Sequence, residues 1–282
     1  RERAVVVDGE GEIDGDLGSL QANATGTLDQ LGGYSTGQVR MDVTGPDLGA
    51  LAEVFGIKGF VPEPFETALT LVFDTEAITI DDGVLETTGD RLNLKGRLSR
   101  EERLAGTTLS IGLESDEVGR WAPAWGEEGR ELGALTVDGQ VAVQRNGQLY
   151  VDATATRAQS RLTAKGIAAS LTGPQEPRLG FTFQTSELAE LAGLAGYDAM
   201  PDRPFSVAGR LEVNGSDVRI AGFDLSFDDA RATGDAMLKL ADGFDGSEID
   251  AKIDVPDIGA LGQMFDVSDL PSERLQVHAA AR

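Results

Sequence analysis

The stretch Pro46-Asp47-Leu48-Gly49-Ala50-Leu51 decides the fold, because related hexapeptides return three times further along the chain. They are Asp116-Glu117-Val118-Gly119-Arg120-Trp121, Ser186-Glu187-Leu188-Ala189-Glu190-Leu191 and Pro256-Asp257-Ile258-Gly259-Ala260-Leu261. Their starts are 70 residues apart, since 116 − 46 = 70 and the same interval follows twice more. A period this long indicates that each copy is a whole supersecondary unit that stacks on its neighbours.

Each copy is predicted to open with one short helix. Apolar residues follow Leu48 at spacings of three and four, which places them on one stripe of a helix: Leu51, Val54 and Phe55. A left-handed residue is expected to end each helix, at Gly56, Gly126, Gly196 or Asp266. In the second copy, Pro123 interrupts the stripe between Trp121 and Trp125, which predicts a shorter or shifted helix.

After each helix, apolar residues occupy every second position, which is typical of strands with one half-buried face. A first strand carries Phe65, Leu69 and Leu71, a second carries Ile78 and Ile80, and a third is expected to end near Gly96, Gly166 or Gly234. The fourth strands repeat most clearly, with apolar residues at 39, 41 and 43, at 109, 111 and 113, at 179, 181 and 183, and at 249, 251 and 253. Turns are expected at Asp81-Asp82-Gly83, Arg145-Asn146-Gly147 and Asn214-Gly215-Ser216.

The predicted fold is mainly β with short helices: an elongated, curled antiparallel sheet built from 70-residue repeats, each a helix plus about four strands. Residues 46–115, 116–185 and 186–255 form complete repeats. Residues 1–45 are read as the C-terminal part of a preceding repeat and 256–282 as the start of a further one, together forming one continuous β-rich segment. A closed sandwich remains the alternative architecture.

One apolar sheet face without an assigned cover is the candidate functional site. Short helices offer little cover for so many strands, so we expect an apolar inner wall that contacts hydrocarbon by burial alone. The candidate contact residues are Leu69, Leu71, Ile78, Ile80, Leu109, Ile111, Leu113, Val141, Leu179, Phe181, Phe183, Leu211, Val218 and Ile220.

The pattern resembles the AsmA-like family of bacterial envelope proteins, whose relatives include the TamB-type proteins and, more remotely, the eukaryotic bridge-like lipid transfer proteins. The resemblance is carried by the helix motif at residues 46–51 and its copies, by Pro64-Phe65 and Pro204-Phe205, and by residues 90–98 with their copy at 160–166. It implies a periplasmic β-rich body on the inner membrane, held by an N-terminal anchor missing from this chain. Such a body would shield phospholipid or other acyl chains in a groove for transport between membranes and outer-membrane biogenesis.

The charge argues against other partners. The chain carries 24 Lys and Arg against 48 Asp and Glu, a net charge of −24, which repels nucleic acid and anionic bilayers at a distance. The carboxylates are spread along the whole sequence, so we interpret the charge as solubility or adaptation to a salty medium.

Residues suited to catalysis or metal binding are scarce. The chain has no cysteine and one histidine, His278, which we interpret as structural or incidental. The pairs Asp81-Asp82, Glu127-Glu128 and Asp228-Asp229 are interpreted as solvated turn residues. We therefore expect no catalytic residue, no cofactor and no metal ion. Two alternatives stay open: a structural or adhesion β-repeat scaffold with a closed core, and a hydrolase that uses two carboxylates.

Overall fold

The protein is mainly β, as the sequence predicts, and its described residues form sixteen antiparallel strands and few short helices. The computed structural model describes residues 4–15, 18–31, 34–54, 61–120, 131–171, 176–189, 192, 200–240, 245–265 and 267–281. The chain divides into two compact units, Arg1–Gly147 and Gln148–Arg282, which we describe in turn.

The first unit contains an open sheet in which each strand pairs with the strands before and after it in sequence. Its strands are β1 Ala4–Gly15, β2 Gly18–Leu31, β3 Tyr34–Gly45, β4 Phe65–Phe73, β5 Ala77–Thr87, β6 Asp90–Ser99, β7 Thr108–Ser115 and β8 Leu135–Val143. Helix α1, Leu48–Val54, follows β3, a short 3-10 turn, Glu102–Leu104, follows β6, and residues 118–120 form a second 3-10 turn after β7.

The second unit is arranged in the same way. Its strands are β9 Gln148–Arg157, β10 Ser160–Ser170, β11 Arg178–Thr185, β12 Phe205–Asn214, β13 Asp217–Phe227, β14 Ala230–Lys239, β15 Glu248–Val255 and β16 Leu275–Ala281. Helix α2, Ile258–Met264, follows β15, and residues 188, 189 and 192, after β11, are helical.

Helices α1 and α2 begin where the sequence predicts, and each start is capped by an aspartate. The Asp47 carboxylate accepts a hydrogen bond from the Ala50 amide (2.8 Å), and Asp257 accepts one from the Ala260 amide (2.9 Å). Such caps satisfy amides that lack a partner within the helix. The predicted helix ends at Gly56, Gly126, Gly196 and Asp266, and the residues Trp121, Pro123 and Trp125, lie outside the described residues.

Two of the three predicted turns are confirmed and one is wrong. Residues 144–147 form a turn after β8, closed by the Gly147 amide donating to the Gln144 carbonyl (2.9 Å), and residues 214–216 connect β12 to β13. Asp81-Asp82-Gly83 lies inside β5, where the pairing with β6 shifts register between Ile80 and Gly83. Glycine and aspartate are common in both turns and β-bulges, but a strand continues through a bulge.

The glycines predicted to mark the ends of the third strands lie in strand interiors instead. Gly96 is in the middle of β6, with a φ of +143°, and a Cβ there would lie 2.2 Å from the Thr108 carbonyl oxygen of β7. Gly166 in β10 has the same environment, with the Arg178 carbonyl oxygen at 2.2 Å. These positions require glycine because the neighbouring backbone approaches too closely for a side chain. The strands continue past them, to Ser99 and Ser170.

Candidate functional site

The register of the first unit places most of its large apolar side chains on one face of the sheet. Residues directly opposite each other in paired antiparallel strands point to the same side. One row across the sheet runs through Val39, Leu71, Ile80, Gly96, Leu109 and Val141. The next row runs through Met41, Leu69, Gly83, Leu94, Ile111 and Gly139. Ile78, between Phe73 and Leu98, and Leu113, between Leu92 and Val137, belong to the same face.

The second unit presents an equivalent apolar face. One row joins Gly166, Leu179, Leu211, Ile220, Ala236 and Ile249. Phe181 lies opposite Ala164 and Gly209, Phe183 lies opposite Leu162 and Val207, and Val218 lies opposite Val213. All fourteen candidate residues therefore lie on the apolar face of their own unit. We call these two surfaces the apolar faces.

Several apolar-face residues are absent from the predicted set, among them Val39, Met41, Leu85, Leu92, Leu94, Leu98, Leu162, Val207, Leu225 and Ile253. The two-residue alternation and the 70-residue period would also have found them. Leu92 and Leu162, for example, occupy equivalent positions 70 residues apart in alternating stretches.

The apolar faces are half-buried. Of the fourteen candidate residues, Ile80 is buried, with 6% of its surface exposed, and the others have intermediate exposure. Leu162 and Ile249 on the second apolar face are 41% and 43% exposed. In the described part of the chain, every strand pairs with its neighbours in sequence, and none forms a separate sheet that could cover either face.

One end of the first apolar face is closed by α1. Leu48 from this helix packs with Leu20 of β2 and Phe65 of β4, and these three side chains form a buried cluster. Phe65 is only 2% exposed, and Val43, Leu51 and Leu85 pack around the cluster. The Leu48 amide donates to the Glu63 carbonyl (2.9 Å), which ties the start of the helix to the segment that leads into β4.

A charged group lies beside this closed end. Arg120, in the turn after β7, contacts the carboxylates of Glu63 (3.3 Å) and Asp90 (3.1 Å), and the side chains of all three residues are largely buried. Two carboxylates around one guanidinium leave no surplus positive charge. The group therefore connects separate parts of the chain and has no free cation to offer a ligand.

The opposite faces of the sheets carry most of the polar strand residues, together with exposed ion pairs, and a few apolar residues such as Val72 and Met237. Lys95 pairs with Asp82 at 3.2 Å in the first unit, and Lys165 pairs with Asp152 at 2.5 Å in the second. The hydrogen bond that Lys165 donates to the Asp152 carboxylate raises the pKa of Lys165 above its ordinary value, because it favours the charged amine. Recesses of about 620 and 410 Å³ open on these polar sides, the larger lined by Gln21, Glu66 and Glu86 among others and the smaller by Thr233, Lys252 and His278 among others.

The residues considered for catalysis or metal binding are dispersed. Asp81 and Asp82 lie in the bulge of β5, Asp228 and Asp229 form the turn between β13 and β14, and Glu127-Glu128 lies outside the described residues. His278, in β16, contacts Asp250 of β15 at 2.7 Å. In the described part of the chain, no group of three or more His, Asp or Glu side chains is arranged to hold a metal ion.

The sequence also contains the Gly-x-Ser-x-Gly pattern of serine hydrolases, which the sequence analysis above does not include. It occurs at Gly33-Tyr34-Ser35-Thr36-Gly37. The nucleophile elbow requires its serine on a sharp turn from a strand into a helix. Ser35 lies within β3 and pairs with Gln30 of β2, in an antiparallel hairpin. The backbone around Ser35 therefore does not have the geometry of an elbow.

Comparisons with known proteins identify no relative: no family model, curated protein or solved structure matches the chain. No helix among the described residues is long and apolar enough to cross a membrane.

Proposed function

We propose that this chain handles lipids, with its apolar faces shielding the acyl chains of phospholipids or other acyl lipids from water. In this proposal the chain is a segment of an AsmA-like protein on the periplasmic side of the bacterial inner membrane, and it serves lipid transport between membranes and outer-membrane biogenesis. The placement in the envelope depends on the sequence resemblance. A location in the envelope would bring the chain close to bacterial membranes and to other envelope proteins.

The observation that supports lipid binding is the half-buried state of the apolar faces. Rows of Leu, Ile, Val and Phe cross several strands, and no described strand forms a separate sheet over them. A large, partly exposed apolar surface is typical of ligand-binding grooves and of contacts with proteins or membranes. Each Å² that a hydrocarbon chain removes from water contributes about 25 cal/mol, without any requirement for a particular polar group.

The dimensions of the first apolar face also suit an acyl chain. From Phe65 to Phe73, β4 advances eight residues, which at ~3.3 Å per residue is about 26 Å. The acyl region of one membrane leaflet, half of a ~30 Å hydrocarbon core, is about 15 Å thick. An acyl chain lying along the strands would therefore fit on the face over its whole length.

The finer architecture belongs to the same proposal. The first strand after each helical segment begins at Phe65, Leu135, Phe205 or Leu275, again at intervals of 70 residues, which supports a structural repeat. Gly96 and Gly166, which have positive φ values, and the register shifts in β5 and β13 are features that can bend a sheet, and they support a curled form.

A closed-core scaffold is the second candidate. It is favoured by the buried residues on the first apolar face, Val39 at 7% and Ile80 at 6% exposure. In a scaffold, the face would be covered by protein, and no lipid would bind.

The experiment that separates the two is lipid binding by the whole chain. We expect native mass spectrometry of the purified protein to detect bound phospholipid, and a lipid with a fluorescent acyl chain to bind and be displaced by unlabelled lipid. If neither measurement detects binding, the lipid proposal is wrong and the scaffold remains.

A matched pair of variants in β10 locates the binding surface. Leu162→Asn places an amide on the second apolar face at an exposed position, and Thr163→Asn makes a comparable change on the polar face. We expect Leu162→Asn alone to weaken lipid binding, with both variants folded by circular dichroism. Equal binding by the two variants would contradict a site on this face. Ile249→Asn, also exposed, provides a second variant if Leu162→Asn does not fold.

A further inference from the structure

We propose that the second unit binds an acidic carbohydrate on a surface formed by β10, β11 and β12, on the side of the sheet opposite its apolar face. This inference goes beyond the proposed lipid binding and does not depend on it. We call the surface the cationic patch. Its nine positions are Arg161, Thr163 and Lys165 in β10, Gly180, Thr182 and Gln184 in β11, and Ser206, Ala208 and Arg210 in β12.

The strand register places the nine positions side by side. Residues directly opposite each other in paired antiparallel strands point to the same side of the sheet. Three rows cross the patch: Arg161, Gln184 and Ser206, then Thr163, Thr182 and Ala208, then Lys165, Gly180 and Arg210. Exposed positions include all three cations, so a ligand can reach them from solvent.

The 70-residue period provides two matched surfaces with the same register. The first unit has Arg91, Asn93, Lys95, Ser110, Gly112, Glu114, Thr136, Asp138 and Gln140. Later in the second unit come Arg231, Thr233, Asp235, Asp250, Lys252, Asp254, Gln276, His278 and Ala280. The first of these has two cations and two carboxylates, and the other has two cations and three carboxylates. Only the cationic patch has three cations and no carboxylate, in a chain with a net charge of −24.

The cations of the patch also differ from their counterparts in how they are paired. In the first unit, Arg91 contacts Glu86, and Lys95 contacts Asp82 at 3.2 Å. In the cationic patch, Lys165 contacts Asp152 of β9.

The two arginines of the patch are free to bind a ligand. In the described part of the chain, neither Arg161 nor Arg210 has an ion-pair or hydrogen-bond partner for its side chain. Arg161 lies between Thr156 and Gln184 in the register, and no carboxylate is directly opposite it. The two arginines are therefore surplus positive charge.

Carboxylates border the patch without neutralising these arginines. Asp224 of β13 lies opposite Ala208, and Arg210 itself lies opposite Gly180 and Ala221. Glu212 follows Arg210 on the same side of β12, but it lies 3.9 Å from Arg219 of β13. The borders therefore limit the positive surface to the three strands.

The cations are too far apart to bind one small anion together. Arg161 and Lys165 are four residues apart in β10, which is about 13 Å at ~3.3 Å per residue. Lys165 and Arg210 are separated by two strand spacings, about 10 Å in all. A chain that carries anionic groups at intervals can contact all three cations.

The other side chains of the patch favour a sugar as this anionic chain. Thr163, Thr182, Gln184 and Ser206 provide hydroxyl and amide groups that donate and accept hydrogen bonds, as sugar hydroxyls require. Guanidinium groups bind carboxylates through two parallel hydrogen bonds. The nine positions contain no aromatic residue on which a nucleic-acid base could stack. A peptide cannot be added as a strand, because β10, β11 and β12 are paired on both edges.

The net charge of the protein sets the conditions for binding. A charge of −24 repels any polyanion at a distance, but salt screens this repulsion beyond about 8 Å at 0.15 M ionic strength. Hydrogen bonds between guanidinium and carboxylate act at shorter range. Binding should therefore be measured at 0.15 M salt.

The test uses the whole chain and oligogalacturonate, a sugar polymer with one carboxylate per residue. Isothermal titration calorimetry compares it with its methyl ester, which keeps the sugar chain and lacks the charges, and with linear polyphosphate of equal length. We expect the acid to bind about tenfold more tightly than the ester, the effect of two exposed charge-assisted hydrogen bonds. Equal binding of the ester, or no binding of the acid, would overturn the inference. Equal binding of polyphosphate would overturn the choice of a sugar.

Matched variants test the location. Arg161→Gln combined with Arg210→Gln should weaken oligogalacturonate binding about tenfold. The control, Arg91→Gln combined with Lys95→Gln, removes the same charge from the equivalent surface of the first unit and should leave binding unchanged. Equal effects of the two would overturn the location. If the first double variant does not fold, Gln184→Glu places the carboxylate of Glu114 at the equivalent position of the patch, and unchanged binding in it would overturn the location.

Discussion

The guanidinium of Arg120 lies 3.1 Å from the carboxylate of Asp90 and 3.3 Å from that of Glu63. This contact joins the turn after β7 to the start of β6 and to the segment that leads into β4. Because the two carboxylates are buried, losing this cation costs far more than losing the partner of an exposed carboxylate.

Arg120→Met is expected to destabilise the protein by about 3 kcal/mol, because it leaves two buried carboxylates without their cation. Urea unfolding followed by circular dichroism measures the change. Arg40→Met serves as the control, since its pair with Asp42 is exposed and its loss should produce no resolvable change. Equal effects of the two substitutions would show that the buried group has no special role.

Gly96→Ala is expected to cost at least about 2 kcal/mol, because the new Cβ would meet the Thr108 carbonyl oxygen at 2.2 Å and the φ of +143° disfavours alanine. The matched control is Gly112→Ala in β7, where the nearest atom would be 3.7 Å away. The control should leave the urea midpoint almost unchanged. A tolerated Gly96→Ala would contradict the close strand approach.

Phe65→Ala and Phe181→Ala should differ in cost. Phe65 belongs to the buried cluster at the end of the first apolar face, so its truncation should cost about 3 to 4 kcal/mol. Phe181 is half-buried on the second apolar face, so we expect about 1 kcal/mol. Thermal and urea unfolding measure both. A loss at Phe181 as large as that at Phe65 would indicate a sealed interior and favour the scaffold.

Stability should fall as the pH drops below about 4. Backbone hydrogen bonds from Glu76 and Ala77 lower the pKa of Asp74 below its ordinary value of 3.8. A carboxyl whose pKa is lower in the folded state adds stability above its unfolded pKa, and this stability is lost as the pH falls through the folded pKa. Urea midpoints between pH 5 and pH 2.5 should therefore decline less steeply in Asp74→Asn than in the unchanged protein. Parallel curves would show that Asp74 does not contribute.

The sequence predicts the faces of the strands well, because a two-residue alternation depends on local burial. The apolar residues at 109, 111 and 113 and those at 179, 181 and 183 lie on one face of their sheets, as expected. The starts of α1 and α2 are equally local, since the capping aspartates Asp47 and Asp257 lie next to the helices that they cap.

Features that depend on pairing between strands could not be predicted. Asp81-Asp82-Gly83 has the composition of a turn, and only the partner strand β6 shows that it is a bulge. In the sequence, Gly96 is predicted to end a strand. The structure shows that it lies inside β6, because the Thr108 carbonyl of the neighbouring strand leaves no space for a side chain. The contacts of Arg120 join residues that are far apart in sequence, so no local sequence pattern predicts them.

The order of the strands has a consequence for how the protein is made. Within each unit every strand bonds to the strands that come just before and just after it in the chain. Each strand can therefore find its first partner as soon as the next stretch leaves the ribosome, without waiting for a distant part of the polypeptide. The sheet would then grow as the chain is translated. At any moment, the growing edge would expose only the most recently made strand to pairing with another chain.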